Sequence, residues 1–180
     1  MATDLNLDSM HDRHPALTEA ITSAYQEAAS VCLGRHHRSP VAIMLSDNGT
    51  ESGADIRWIS PDARTVGAWA NTTDAAEAGA YCCVIAGVEY IRRLVAVRRA
   101  ETGTGADYYV GPDGAGRSDL EDCLRLEVSG VDAGDNAVVD ARLRSKVKQA
   151  KRGESSLPAL AGVIGFAAKV LMICDVAEER

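Results

Sequence analysis

The sequence predicts an α/β domain in which helices flank a mixed β-sheet, and two patterns carry that prediction. Segments with apolar residues at three- and four-residue spacing, typical of amphipathic helices, alternate with short apolar runs typical of strands. Loops rich in glycine, proline and aspartate separate the two kinds of segment. The 180 residues suffice for one domain with a sizeable core. No apolar run approaches the roughly 20 residues that a membrane-spanning helix needs.

The N-terminal part predicts a helix followed by a β-meander. Residues 1–14 form a polar lead-in without the apolar stretch of a secretory signal. Residues 15–33 place apolar side chains on one helical face, and Gly34 is a stop signal. Three segments separated by turn residues then predict the meander strands 41–46, 55–60 and 65–70. We expect residues 15–73 to form an extension that serves as a dimerisation element, a lid or a specificity module.

The C-terminal part, residues 74–180, predicts the order αββαββ. Asp74 is a candidate N-cap with Glu77 as its capping-box partner, and the helix that they begin runs to about Ala100. Polar loops delimit the elements that follow it: strands 107–110 and 123–129, a basic helix 137–152, and strands 161–166 and 169–175.

Two carboxylates lie in neighbouring strands of this part. Asp107 opens the strand 107–110, and Glu127 lies within the strand 123–129. If the strands pair, the two carboxylates can share a hard cation such as Mg²⁺, which prefers oxygen ligands and retains several waters. Such an ion activates a water and stabilises the charge that builds on a phosphate under attack. The alternative is that both acids cap strands or pair with Arg125 or a helix arginine.

The succession of a helix, a strand with an initial aspartate, a strand with a Glu-x-x triplet, a helix and a strand resembles the core of the PD-(D/E)xK nuclease superfamily, the restriction-endonuclease-like fold. The resemblance covers about residues 74–176. It implies that Asp107 is the first acidic ligand and that Glu127 is the acid of the (D/E)xK triplet. It also implies that Glu77 or Glu89 supplies the extra glutamate that many members carry on the first helix.

The basic helix is a candidate source for a positive charge that the triplet lacks. Ser129 stands where the family has its lysine, and a serine cannot supply that charge. Some members take the lysine from a neighbouring helix, so the resemblance allows Lys146 or Lys148 to do so here. Arg142, Lys146 and Gln149 share one helical face, and Gln149 resembles the helix glutamine of recombination-type members. The alternative is that this stripe is the solvated face of an amphipathic helix.

Charge is distributed unevenly along the chain. The net charge is −7 and the pI is near 5.1, which excludes a general polyanion binder. Residues 137–152 carry a net +5, so the rest carries −12. Local basic patches can hold a phosphate backbone despite the acidic average, and they can equally bind an acidic protein partner. Aromatic residues make up only 4% of the chain, which disfavours a base-stacking platform for single strands.

Two functional hypotheses follow. The first is a divergent Mg²⁺-dependent phosphodiesterase or nuclease acting on DNA, with Asp107 and Glu127 as metal ligands and Lys146 as the third catalytic residue. Five further residues support that site: Glu89, Ser129, Arg142, Lys148 and Gln149. The second is a catalytically inactive adaptor with a nuclease fold, which binds a protein partner in a bacterial multi-component system.

Cellular location and assembly are also predicted. The chain has five cysteines, an odd number, and none forms a C-x-x-C pair. This usage predicts buried thiols in a reducing cytoplasm. The strands 41–46 and 65–70 would leave sheet edges that need covering, which predicts a homodimer.

Overall fold

The computed structural model describes residues 4–115 and 119–177, and these residues contain eight strands and five helices. The strands are β1 (Asp4–Leu5), β2 (Val41–Asp47), β3 (Thr50–Ile56), β4 (Val95–Arg99), β5 (Tyr108–Gly111), β6 (Leu124–Val131), β7 (Ala159–Gly165) and β8 (Val170–Val176). The helices are α1 (Met10–Arg13), α2 (Glu19–His36), α3 (Ala63–Ala68), α4 (Thr72–Arg92) and α5 (Asn136–Lys151). The predicted α/β class is confirmed. Of the helices described, none is both long and apolar enough to cross a bilayer.

The described strands join one mixed sheet in the order β1-β3-β2-β8-β7-β6-β5-β4. The pairs β1–β3, β2–β8 and β6–β7 are parallel, and the other neighbours are antiparallel. Helix α5 forms the crossover between β6 and β7, as a parallel pair requires. The β2–β3 hairpin therefore extends the same sheet through β8.

Strand β6 distributes its side chains to the two faces of the sheet. Leu126 and Val128 belong to the main core, which α2 and α4 cover on one face. Val131 packs with Val139 of α5 in a smaller cluster on the other face. Glu127, which alternates with Leu126 and Val128, also faces α5. The period of two along β6 thus directs its polar positions to the α5 side.

Helix α4 lies directly on the main chain of β6. A Cβ atom added at Gly130 would lie only 2.3 Å from the carbonyl oxygen of Ala76. Only glycine permits this approach, because the neighbouring atom belongs to the backbone and cannot rotate away. The contact fixes the first half of α4, including Glu77 and Tyr81, beside the end of β6.

The predicted third strand of the meander is wrong. Residues 65–70 lie mostly in helix α3, which begins where the Asp62 side chain accepts a hydrogen bond from the Thr65 N–H (2.7 Å). The second strand of the meander begins earlier than predicted, directly after the turn that follows β2. Asn48 and Gly49 both have positive φ (49° and 83°), which is the two-residue turn that matches strand twist. The second strand of the hairpin therefore begins at Thr50 and ends at Ile56 instead of spanning 55–60.

The predicted helix from Asp74 to Ala100 is wrong at both ends. Its N-cap is Asn71, whose side chain accepts from the N–H groups of Thr73 and Asp74. It ends at Arg93, which adopts the left-handed conformation (φ 59°). The chain then enters strand β4, which pairs with β5.

The edges from which a homodimer was predicted do not exist. Strand β2 lies inside the sheet, and residues 65–70 form no strand. At the β4 end of the sheet, the segment before α2 covers part of the main chain. The Ala16 N–H donates to the Ala96 carbonyl, and the Ala96 N–H donates to His14 Nδ1 (both 3.0 Å). The homodimer therefore remains a prediction, and unpaired edges at these two segments no longer support it.

Gly130→Ala should lower the free energy of unfolding by about 1–3 kcal/mol, the usual cost of forcing an extra methyl group into a packed core. The new methyl would press on the Ala76 carbonyl and separate α4 from β6. Urea unfolding followed by circular dichroism measures the change. Gly53→Ala in β3 is the matched control, because its nearest neighbour would be 3.8 Å away. Equal destabilisation in the two variants would contradict the close approach.

Candidate active site

A cleft of about 500 Å³ opens between α4 and α5 beside the second half of β6. It exists because β5 is short: its residues pair only with Leu124–Leu126, so β6 from Glu127 onward has no neighbour from β5. Polar side chains line it from three directions: Glu77 and Tyr81 of α4, Asp107, Glu127 and Ser129 at the sheet, and Arg142, Lys146 and Gln149 of α5.

Asp107 lies immediately before β5, where it continues the ladder towards β6. Its N–H donates to the Leu126 carbonyl (2.8 Å), and its Oδ2 accepts from the Val128 N–H (2.8 Å). Its Oδ1 accepts from the Tyr81 hydroxyl (2.9 Å). Burial raises the pKa of Tyr81, and the Asp107 charge raises it further, so the phenol stays protonated and remains the donor. The Asp107 carboxylate is thereby held in one orientation beside Glu127.

Glu127 is a buried acid paired with a lysine. Its side chain is 3% exposed, and its Oε1 lies 2.7 Å from Lys146 Nζ. Burial raises the pKa of the Glu127 carboxyl, the hydrogen bond from Lys146 opposes the rise, and the Asp107 charge adds to it. The net direction is upward. The folded protein therefore holds this carboxylate ionised at a cost, which the pairing with Lys146 only partly offsets.

Helix α5 brings the stripe predicted from its sequence to the cleft. Lys146 Nζ also donates to Gln149 Oε1 (3.1 Å), and Arg142 Nη1 donates to Ser129 Oγ (3.4 Å). Ser129 thus anchors a guanidinium, and the ammonium group beside Glu127 comes from α5. Arg142 and Lys146 lie one helical turn apart on α5. They reach Ser129 and Glu127, which lie two residues apart on the same face of β6.

Two of the predicted supporting residues lie elsewhere. Glu89 accepts hydrogen bonds from Arg13 Nε (2.8 Å) and is 3.0 Å from Nε2 of the buried His14, so it ties the N-terminal segment to α4. Lys148 is exposed on α5 and does not line the cleft. Of the two glutamates that the resemblance offered on the first helix, Glu77 lines the cleft, and the Tyr81 hydroxyl lies 3.5 Å from its Oε1.

An arginine and two tyrosines were missed by the sequence reasoning. The Arg99 guanidinium lies over the rings of Tyr81 and Tyr108, 4.7 and 4.6 Å from their centroids. Its Nη2 lies 3.6 Å from Asp107 Oδ1. The prediction placed Arg99 at the end of a long helix, whereas it ends β4. The β-branched Val95 and Val97, which flank Ala96, are the signal that would have indicated a strand here.

The donor set suits magnesium better than zinc. Among residues 4–115 and 119–177, no three His, Cys, Asp and Glu side chains are grouped to hold a metal ion. Mg²⁺ needs no such group, because it is usually bound by one or two carboxylates together with waters. Asp107 and Glu127 fit that requirement. A cation bound by Glu127 would displace Lys146 from the Glu127 Oε1 atom or share that oxygen with it.

Comparison with known proteins adds no assignment, because no family model, no curated protein and no solved structure matches the chain.

Glu127→Gln should stabilise the protein at neutral and alkaline pH. A carboxyl whose folded-state pKa is raised contributes stability that is fully present below its usual value of 4.5 and is lost as the pH rises. The glutamine side chain of the variant stays neutral at every pH, so the variant does not lose this stability as the pH rises. Thermal melts at pH 8 should therefore give a higher Tm for the variant than for the wild type, and the difference should shrink below pH 4.5. Glu51→Gln, which changes an exposed carboxylate, is the control. A lower Tm for Glu127→Gln at pH 8 would contradict the cost assigned to the buried charge.

Proposed function

We propose that this protein is a divergent PD-(D/E)xK-type phosphodiesterase that cleaves DNA with Mg²⁺. One observation carries the proposal: Asp107 and Glu127 lie on neighbouring strands in one cleft, and Lys146 Nζ lies 2.7 Å from Glu127. Two oxygen ligands and one ammonium group are the side-chain chemistry that the resemblance requires. The lysine comes from α5 rather than from the strand.

The order of elements around the cleft supports the same proposal. Helix α4 precedes the antiparallel strands β4, β5 and β6, and α5 then crosses over to the parallel strand β7. Asp107 immediately precedes β5, and Glu127 lies in β6. Apart from the additional strand β4, this is the succession of elements on which the resemblance to a restriction-endonuclease-like core rests.

The roles of the residues follow from their contacts. Bound Mg²⁺ would supply an activated water and neutralise charge on the phosphate. Asp107, oriented by Tyr81 and the Val128 N–H, and Glu127 would hold the ion. Lys146 keeps a positive charge beside Glu127, where it orients the attacking water and stabilises the phosphate oxygens. Hydrolysis forms one bond from water oxygen to phosphorus and breaks one phosphorus–oxygen ester bond, leaving an alcohol and a phosphate monoester.

A second candidate function is a catalytically inactive adaptor. The observation that favours it is that both acids already have partners: Asp107 accepts from Tyr81 and from Val128, and Glu127 accepts from Lys146. Such a protein would use the acids only for these internal contacts and would bind an acidic partner through the basic face of α5. The adaptor predicts no cleavage by the wild type with Mg²⁺ or Mn²⁺, so the same assay separates the two functions.

We also propose a cytoplasmic location. All five cysteines are free, and four of them are buried. Burial raises the pKa of Cys32 and of Cys82 to about 12, so these thiols stay protonated and unreactive. Fractionation of the native cells, with detection of this chain, tests the location.

Asp107→Asn and Glu127→Gln should each abolish metal-dependent cleavage of DNA, because each removes one ligand charge from the cation. Lys146→Met should reduce the rate by about 10²–10³, the usual loss when one preorganised donor is removed from a reacting centre. Nicking of supercoiled plasmid with Mg²⁺ or Mn²⁺ measures all three.

Lys148→Met is the matched control, since it removes the same charge from the same helix outside the cleft. The loss in Lys146→Met should exceed the loss in Lys148→Met at least about tenfold, given the size of the expected effect. Cleavage that survives in both acid variants would overturn the proposed function.

A further inference from the structure

Arg99 emerges beside the candidate metal ligands because of the pairing between β4 and β5. In that pairing Arg99 lies opposite Tyr108, and the Ala100 N–H donates to the Asp107 carbonyl (2.9 Å). The guanidinium therefore reaches the same end of the sheet as the Asp107 carboxylate, from the side opposite Lys146.

Two tyrosine rings hold the Arg99 side chain in place. The guanidinium lies over Tyr81 and Tyr108, and Nη2 donates to the Tyr81 hydroxyl (3.2 Å). The Tyr108 hydroxyl is itself hydrogen-bonded to Tyr25 of α2 (2.7 Å). Cation–π contacts and a planar fork reduce the conformational entropy that an arginine loses when it binds a ligand. Arg99 is preorganised before any ligand arrives.

The same side chain remains accessible. Arg99 is 50% exposed, whereas Arg125, which serves the fold by bonding three main-chain carbonyls, is 7% exposed as a residue. A guanidinium has five N–H donors, and the two tyrosine hydroxyls cannot accept from all of them. The neighbouring Arg98 differs, because it is bonded to Glu101 three residues along the chain.

With a divalent cation bound, charge around the cleft balances only with an anion of more than one charge. The side chains near the two strands comprise four acids and four cations, namely Asp107, Glu127, Glu77 and Asp132 against Arg99, Lys146, Arg142 and Arg35, the last of which pairs with Asp132 (3.1 Å). A divalent cation on the acids would leave a surplus of two positive charges. One phosphodiester carries a single negative charge, so a stretch of two phosphates matches the surplus.

We infer that Arg99 binds a backbone phosphate next to the one attacked, so that the substrate is a polynucleotide chain with at least two consecutive phosphates. The inference rests on the proposed function for the position of the attacked phosphate. Arg99 is a substrate-binding residue in this arrangement.

Salt dependence of DNA binding tests the phosphate contact directly. A short fluorescein-labelled duplex is titrated with the protein in CaCl₂ at several KCl concentrations, and fluorescence anisotropy reports the Kd. Arg99→Met should weaken binding about tenfold and lower the slope of log K against log salt by about one, as expected for one lost phosphate contact. Arg98→Met, its neighbour with the same charge, is the matched control and should leave the slope unchanged. Equal slopes for the two variants would overturn the inference.

Cleavage kinetics separate this inference from the proposed function. With Mg²⁺, the loss of kcat/KM caused by Arg99→Met should be at least about fivefold greater on the oligonucleotide than on bis(p-nitrophenyl) phosphate, because the latter has no second phosphate. Equal losses on both substrates would overturn the inference and leave the nuclease standing. A wild type that cleaves neither substrate, with the slope still lowered in Arg99→Met, would overturn the proposed function and support the phosphate contact. Absence of DNA binding by the wild type would overturn both.

Discussion

The contact between Lys146 and the buried Glu127 is the interaction on which the candidate site depends. A carboxylate with 3% of its side chain exposed pays a desolvation penalty of several kcal/mol, and one ammonium group returns only part of it. The pair also ties α5 to β6 at the point where Ser129 cannot supply charge. Removing Lys146 would leave the Glu127 carboxylate buried without a counter-charge, whereas the Lys146 ammonium, whose side chain is 19% exposed, keeps access to water when Glu127 is neutral. The stability of this region and the chemistry of the cleft are therefore coupled. Costly ionised groups of this kind concentrate at functional sites.

The rest of the fold serves to keep that pair beside Asp107. Helix α4 approaches β6 through Gly130, which brings Tyr81 within 2.9 Å of Asp107. Tyr81 in turn packs against Tyr25 of α2, with ring centroids 5.1 Å apart. Helix α2, which the sequence predicts to lie in an extension, therefore supports the site through Tyr25, which contacts both Tyr81 and Tyr108. By restraining these two rings, Tyr25 helps to fix the positions of Asp107 and Arg99.

Sequence reasoning succeeded where a feature is local. Loops rich in glycine and aspartate precede β5, β6 and α5, and periodicity locates these elements and the strands β7 and β8 within a few residues. Helical spacing predicts that Lys146 shares one face with Arg142 and Gln149, but its approach to Glu127 depends on the rotation of α5 about its axis, which the sequence pattern does not determine. Strand β4 could not be found in this way, because its apolar residues continue the pattern of α4, and a single left-handed residue, Arg93, separates the two elements. Because β4 was not predicted, the position of Arg99 beside Asp107 was not predicted either. Glu89 was misassigned because its partners, Arg13 and His14, are about 75 residues distant in sequence.

An acidic protein can be selective for a polyanion when its positive charge is confined to one place. Most of this chain carries −12, which repels DNA over the general surface, whereas the residues of α5 and its flanking arginine carry +5. A nucleic acid would therefore gain attraction where Arg142 and Lys146 line the cleft and where Arg99 lies beside it. Repulsion elsewhere penalises misdirected docking, and like-charge contacts of this kind supply specificity more than affinity. The negative net charge of the chain weighs against a nuclease when composition is considered alone. Together with the local basic residues, it would direct the substrate to Asp107 and Glu127.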